Sequence, residues 1–287
     1  MGTHDAELDE VAALARHLAA AAATLLLERQ ASPGTLGTKT SLTDLVSEVD
    51  RASEQLIVDA VRQARPRDGI VGEEGAAHDG TSGWRWVIDP LDGTINYLYG
   101  LPSYAVSIAV ERHGRAEVGV VAQPAHRETF SAIRGQGATC EGVPITASAH
   151  DDLATALVGT GFSYEADRRS VQAALLARVL PAVRDIRRAG AASVDLCWVA
   201  CGRLDGYYEH GLQPWDFAAG ALIATEAGAR TGDLDGGAPS GDFTMAAAPA
   251  LFESLRQLLV DAGARASFAP TVMPAGSQDH QSIPTGG

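Results

Sequence analysis

The chain has 287 residues, 46% of them hydrophobic and 20% charged, which is enough for one large domain or two modest ones. A net charge of −14 excludes the basic footprint that nucleic-acid binding requires, and an anionic substrate would need a local remedy such as bound cations. Cys140, Cys197 and Cys201 are too few and too irregularly spaced for a disulfide framework and read as buried free thiols.

Residues 5–30 predict one helix, with Leu8, Val11, Leu14, Ala15, Leu18, Ala22 and Leu25 on a single face. Its apolar stretch contains Arg16 and His17 and follows Asp5, Glu7, Asp9 and Glu10. It therefore lacks the positive lead of a signal peptide and the ~20 uncharged residues of a membrane span. No Ser or Thr stands at position 6, so the myristoylation pattern after Met1-Gly2 fails as well. A cytoplasmic protein without a membrane partner is expected.

Residues 32–43, with Pro33, Gly34 and Gly37, predict a loop, and 44–65 a second helix with Leu45, Val49, Leu56, Val58 and Val61 apolar. Pro66 and Gly69 close that helix. Short strand-like runs follow at 70–71, 85–88, 104–112, 117–123 and 129–133, and His113-Gly114 between two of them suggests an antiparallel hairpin. The second half predicts strands at 157–159, 185–187, 206–209 and 244–248, with helices at 165–183, 191–201, 215–228 and 249–262. The Pro-, Gly-, Ser- and Gln-rich residues 265–287 predict a disordered tail. Neither a repeat nor a linker interrupts residues 1–264. They read as a single domain of layered α and β elements, with lobes at about 1–150 (antiparallel) and 151–264 (mixed).

The chemistry starts at Asp89-Pro90-Leu91-Asp92-Gly93-Thr94. The run Val87-Ile88 ends in a carboxylate, and Pro90, which has no N–H, is expected to stop the strand and turn the chain. Asp89 and Asp92, three apart across that turn, can point into one space. Gly93 lets backbone approach a ligand, and Thr94 can start a short helix whose N–H groups favour phosphate. Two carboxylates beside such an anion cradle would repel a phosphate unless hard, oxygen-ligated cations lay between them, Mg²⁺ first. On this segment alone, an ordinary Asp-rich turn competes with that reading. Glu73, flanked by glycines in Gly72-Glu73-Glu74-Gly75, is a third acid in a suggestive context. Taken singly, Asp216 at a helix start reads better as a cap or first-turn acid, and Asp50 as part of a solvated helix face.

These segments together resemble the inositol monophosphatase family. The stretch 86–97 resembles the family's first signature, and Trp215-Asp216-Phe217-Ala218-Ala219-Gly220 with Glu226-Ala227-Gly228-Ala229 its second. Gly72-Glu73-Glu74 and Ser47-Glu48-Val49-Asp50 match its other acidic segments in order and spacing. Over about residues 8–262 the resemblance implies an α/β (α+β layered) αβαβα sandwich. Val158-Gly159-Thr160-Gly161-Phe162, Arg187-Arg188-Ala189-Gly190 and Tyr207-Tyr208-Glu209-His210-Gly211 resemble the bacterial inositol-1-monophosphatases in particular.

The resemblance implies that Glu73, Asp89 and the Leu91 carbonyl hold one Mg²⁺ and that Asp89, Asp92 and Asp216 hold a second. Glu73 would also touch a third, and Mn²⁺ could stand in. Gly93 and Thr94 would offer backbone N–H groups to the phosphate. Asp50 would accept from the Thr94 hydroxyl, which orients the attacking water, with Glu73, Thr94 and Asp50 as the catalytic groups. Glu209, Asp92, Gly190, Ala191, Ala192 and Arg187 would face the alcohol. Ala191 replaces a more usual Ser or Thr, Leu91 an Ile, Ser47 a Thr and Tyr97 a Phe. The implied activity is hydrolysis of myo-inositol 1-phosphate by direct attack of a metal-activated water, with lithium sensitivity, a small phosphorylated polyol as partner and a homodimer. Histidinol phosphate, fructose 1,6-bisphosphate, NADP and 3′-phosphoadenosine 5′-phosphate remain alternatives, although Glu209 would repel a second phosphate. A regulatory binding role is a different class.

Overall fold

The computed structural model describes residues 3–31 and 42–267. In chain order the elements are α1 (Thr3–Ala31), α2 (Leu42–Ala64), β1 (Gly69–Gly72), β2 (Ala77–His78), β3 (Trp84–Asp92) and α3 (Thr94–Leu98). Then come β4 (Ala105–Arg112), β5 (Arg115–Gln123), β6 (Glu128–Ile133), β7 (Ala138–Cys140), β8 (Val143–Pro144) and β9 (Leu157–Thr160). The remainder is α4 (Ala166–Val179), β10 (Asp185–Arg187), α5 (Ala192–Ala200), β11 (Gly206–Glu209), α6 (Pro214–Glu226), β12 (Arg230–Gly232), β13 (Thr244–Ala247), α7 (Phe252–Asp261) and α8 (Ala264–Ser267).

An eight-stranded sheet runs β2-β1-β3-β4-β5-β6-β7-β8, antiparallel except where β1 pairs β3, and a mixed five-stranded sheet runs β10-β9-β11-β13-β12. Alternation along the first sheet decides its two faces. Trp86, Ile88, Val106, Ile108, Val110, Val118 and Val120 join α1 and α2 in one core. Val87, Ala105, Ala109 and Val121 face α5 and α6. The second face is built of small residues because α6 lies close: a Cβ at Gly119 would stand 2.7 Å from the Ala219 carbonyl oxygen. A third core joins the outer face of the second sheet to α4 and α7 through Val158, Leu175, Met245, Phe252 and Leu255. The result is an αβαβα layering, as expected.

The β4–β5 hairpin turns on His113 (φ 51°) and Gly114 (φ 78°), the backbone of a two-residue type I′ turn. Helix α1 is long and apolar enough to cross a membrane by length and composition, yet its Leu8, Val11, Ala15, Leu18 and Ala22 pack on the first sheet. Four sequence expectations need correction. Strand β3 does not stop at Pro90; it runs to Asp92 through a bulge between Asp89 and Asp92, with Asp92 opposite Ala105. A proline can sit there because a bulge leaves one residue out of the ladder. Asp50 is not on a solvated face: it is 3% exposed. The helix expected over 165–183 ends at Val179, with Pro181 in a 3-10 turn. Of the three free thiols only Cys197 is fully buried, Cys140 and Cys201 being partly exposed. Of the loop expected at 32–43 and the disordered tail expected at 265–287, residues 42–43 begin α2 and 265–267 belong to α8, and 32–41 and 268–287 lie outside the described residues.

Candidate active site

The bulge at the end of β3 sets the site. Asp89 and Asp92 flank it, paired with Ser107 and Ala105 and 1% and 9% exposed, and one Asp89 carboxylate oxygen accepts the Leu91 N–H at 3.0 Å inside the bulge. Gly93 follows at φ +87°, where a Cβ would come 2.8 Å from the Ser103 carbonyl oxygen, so the turn into α3 requires glycine. Helix α3 is tied down on both sides. The Tyr97 hydroxyl, which a Phe would lack, donates to the Leu26 carbonyl of α1 at 2.8 Å, and Asn96 donates to the Ala189 carbonyl at 2.8 Å beside Gly190.

A cavity of about 270 Å³ opens between the two sheets. Glu73, Asp89, Leu91, Asp92, Gly93, Thr94, Gly190, Ala191, Ala192, Glu209 and Asp216 all line it. Burial raises the pKa of the four metal-candidate acids; repulsion among them adds to it at Glu73, Asp89 and Asp216, while at Asp92 the hydrogen bonds from Ser193 work against it. Asp89 lies well above the carboxylate range, with Glu73, Asp92 and Asp216 contributing; Asp216 reaches about 8, and Glu73 and Asp92 are raised too. Asp216 is both things the sequence allowed: it accepts the Gln213 N–H at 2.6 Å as the first-turn acid of α6, and it faces the cavity.

The four acids are gathered but not convergent. Among the described residues no group of three His, Cys, Asp or Glu side chains stands close enough to hold a metal ion. Three of them are engaged by protein instead: Asp89 accepts the Leu91 N–H, Asp92 accepts the Ser193 N–H (2.8 Å) and hydroxyl (2.6 Å), and Asp216 accepts the Gln213 N–H. The donor chemistry still fits a hard divalent cation, since every donor is oxygen and mutual repulsion is what such a cation relieves.

Two expected contacts are not formed. The Thr94 hydroxyl donates to the Leu91 carbonyl at 3.0 Å rather than to Asp50. Asp50 lies outside the cavity lining, its Oδ1 without a hydrogen-bond partner among the described residues, and burial followed by Glu74 and Glu73 lifts it to about 8. Arg187 points away, its guanidinium donating to Asp185 at 2.6 Å, and the neighbouring Arg188 lines the cavity. Arg187 closes strand β10 and Arg188 follows it on the way to α5, so the Arg-Arg pair carried the signal but not the choice.

Sequence reasoning missed three groups. Ser193 holds Asp92. Asp195 is 1% exposed, raised well above its usual range by burial and then by Glu209, with Oδ1 unpartnered among the described residues. Tyr207, fully buried, donates its hydroxyl to Glu209 at 2.5 Å, while burial lifts Glu209 to about 7.

The profile of the inositol monophosphatase family matches residues 7–264. The inositol-1-monophosphatase SuhB of Mycobacterium tuberculosis is 44% identical over 280 aligned residues, covering 88% of this chain and 93% of the relative. The Escherichia coli protein named Nus factor SuhB is 44% identical over 196 residues, 68% of this chain and 73% of its own. The solved structure of M. tuberculosis SuhB superposes with a TM-score of 0.78 at 43% identity, covering 89% of this chain and 98% of that one.

Proposed function

The chain belongs to the inositol monophosphatase family and is a phosphatase, and we propose that it is a Mg²⁺-dependent enzyme hydrolysing myo-inositol 1-phosphate. The observation that carries this is the ring of Glu73, Asp89, Asp92 and Asp216 around one cavity, beside the glycine-dependent turn into α3. These acids and the Leu91 carbonyl would hold two or three ions, with Mn²⁺ as a substitute. Bound there, the metal supplies a water of lowered pKa and neutralises charge on the leaving oxygen. Gly93 and Thr94 present backbone N–H groups to the phosphate. Glu73 and the Thr94 hydroxyl flank the water's approach, and no Ser, Cys or His nucleophile is needed.

The alcohol side favours a polyol. Glu209 offers one carboxylate oxygen to substrate hydroxyls because Tyr207 occupies the other. A second phosphate would meet this acid and be repelled, whereas Arg188 at the same cavity can pair with the phosphate already present. A panel of inositol 1-phosphate, histidinol phosphate, fructose 1,6-bisphosphate and NADP, assayed with Mg²⁺, decides the substrate. Inositol 1-phosphate should stand within about tenfold of the best kcat/KM, a spread of ~1.4 kcal/mol in transition-state binding. A larger deficit transfers the assignment to the winner.

Tyr207→Phe tests the alcohol side separately. Losing one buried hydrogen bond costs about 0.5–1.5 kcal/mol, so KM should rise roughly 3–10-fold with kcat little changed. The Tyr207 bond holds the Glu209 pKa down, so its loss moves that pKa further up. The KM defect should therefore be largest near neutral pH and shrink in alkali; a pH-independent defect would refute the role given to Glu209.

Lithium sensitivity, a cytoplasmic location and a homodimer accompany this proposal. The exposed Ile95, Tyr99 and Leu101 beside α3 support the dimer. The name of the E. coli relative, a Nus factor, supports an additional regulatory binding role, which the −14 charge directs towards a protein partner rather than nucleic acid.

A further inference from the structure

Glu73 and Asp89 belong to two separate stretches, the turn after β1 and the bulged end of β3. Backbone pairing aligns them only up to a point. Gly72 sits opposite Ile88 and the Glu73 N–H reaches the Ile88 carbonyl at 3.2 Å, after which the two stretches part. Two consecutive side chains of α2 take over there, Ser53 at 0% and Glu54 at 6% exposure. The Ser53 hydroxyl donates to the Pro90 carbonyl at 2.9 Å, between Asp89 and Leu91. Glu54 accepts the Glu74 N–H on Oε2 and the Ala76 N–H on Oε1, both at 3.0 Å, bracing the turn that carries Glu73.

The same turn is closed by the Gly72 N–H on the Ala76 carbonyl at 2.8 Å, and Gly72 is where any Cβ would collide with the Glu54 carboxylate. Neither Ser53 nor Glu54 lines the cavity. A buried carboxylate is costly unless its oxygens are satisfied, and here backbone N–H groups from the acid-bearing turn satisfy both. We infer that Ser53 and Glu54 are positioning residues for the metal-binding acids: one face of α2 braces both acid-bearing stretches at once and presets the spacing of Glu73 and Asp89. The inference rests on the metal-binding reading proposed above.

Glu54→Gln keeps the shape but replaces one acceptor oxygen with an amide that cannot accept a backbone N–H. Ser53→Ala removes the tie to Pro90. The readout is the Mg²⁺ concentration dependence of the melting temperature of the full chain, with no substrate present. The apparent Mg²⁺ dissociation constant should weaken roughly 10–100-fold in Glu54→Gln, and in the same direction in Ser53→Ala. The activation constant for Mg²⁺ should shift by the same factor, so that raising Mg²⁺ recovers turnover. Wild-type Mg²⁺ affinity in a Glu54→Gln protein that merely melts lower overturns the inference, as does a loss of turnover that added Mg²⁺ cannot restore. If Glu54→Gln does not fold, Ser53→Ala decides by the same criteria. Wild-type protein showing no Mg²⁺-dependent stabilisation would bring down the metal reading itself, and this inference with it.

Discussion

Asp92→Asn is expected to lower kcat by roughly 10³-fold or more, with the fold and the cavity retained. Asp92 stands where three things meet: the bulged end of β3, the start of α5 through Ser193, and the cavity shared with Asp89 and Asp216. Asparagine keeps an oxygen that can accept from Ser193, so the tie between the end of β3 and the start of α5 survives. What disappears is one negative charge among four buried acids that repel one another. The metal-free variant should therefore melt no lower than wild type, and its far-UV circular dichroism should be unchanged. The size of the loss separates two roles. If Asp92 only contacted the alcohol, the variant would lose about one hydrogen bond, seen mostly in KM. If it carries a metal shared with Asp89, kcat collapses and excess substrate does not help. Substantial residual turnover would refute the two-metal proposal.

The elements legible in the sequence were those with a local cause. The apolar stripe of α1, the His113-Gly114 turn and the alternation of β4 and β5 are written in neighbouring residues, and the structure builds each of them. The clustering of Glu73, Asp89, Asp92 and Asp216 was legible only as a set, since each acid alone had a plain local explanation. The errors arose where distant chain decides. Pro90 is a strand breaker by local rules, but β4 continues to pair beyond it and the bulge absorbs the proline. Asp50 lies among exposed charges in sequence, yet the turn carrying Glu73 and Glu74 packs close enough to bury it and raise its pKa. Arg187 is the last residue of the three-residue strand β10 and Arg188 the first beyond it, and no local signal fixes where that strand ends. Ser53 and Glu54 read as ordinary helix residues until the turn at 72–76 is laid against them.

The second large effect is on stability, and its sign runs against the usual behaviour of acids. Asp50 and Asp216 are lifted to about 8 and Glu209 to about 7, and Glu73, Asp89, Asp92 and Asp195 are raised as well. In the unfolded chain these groups titrate near 4. A raised folded pKa gives stability that is fully present below the unfolded value and lost as pH rises through the folded one. The acids that are lowered, such as Glu7 and Glu128, act below about pH 5 and do not contribute above it. Among the described residues only His210, whose pKa burial lowers, opposes the trend between pH 5 and 8, and it is one group against seven. In chelator the melting temperature should therefore fall from pH 5 to pH 8. Mg²⁺ should reverse the loss, because it binds the ionised acids and so gains affinity as pH rises. At about 100 times its dissociation constant a ligand adds ~2.7 kcal/mol, worth roughly 4–5 °C in a chain of this size. The Mg²⁺ increment should thus be small at pH 5 and largest at pH 8, and both slopes should flatten in Asp92→Asn. Scanning fluorimetry across that range reads both quantities at once. A melting temperature in chelator that rises towards pH 8, or an increment independent of pH, would mean that these acids are not the charges the cation balances.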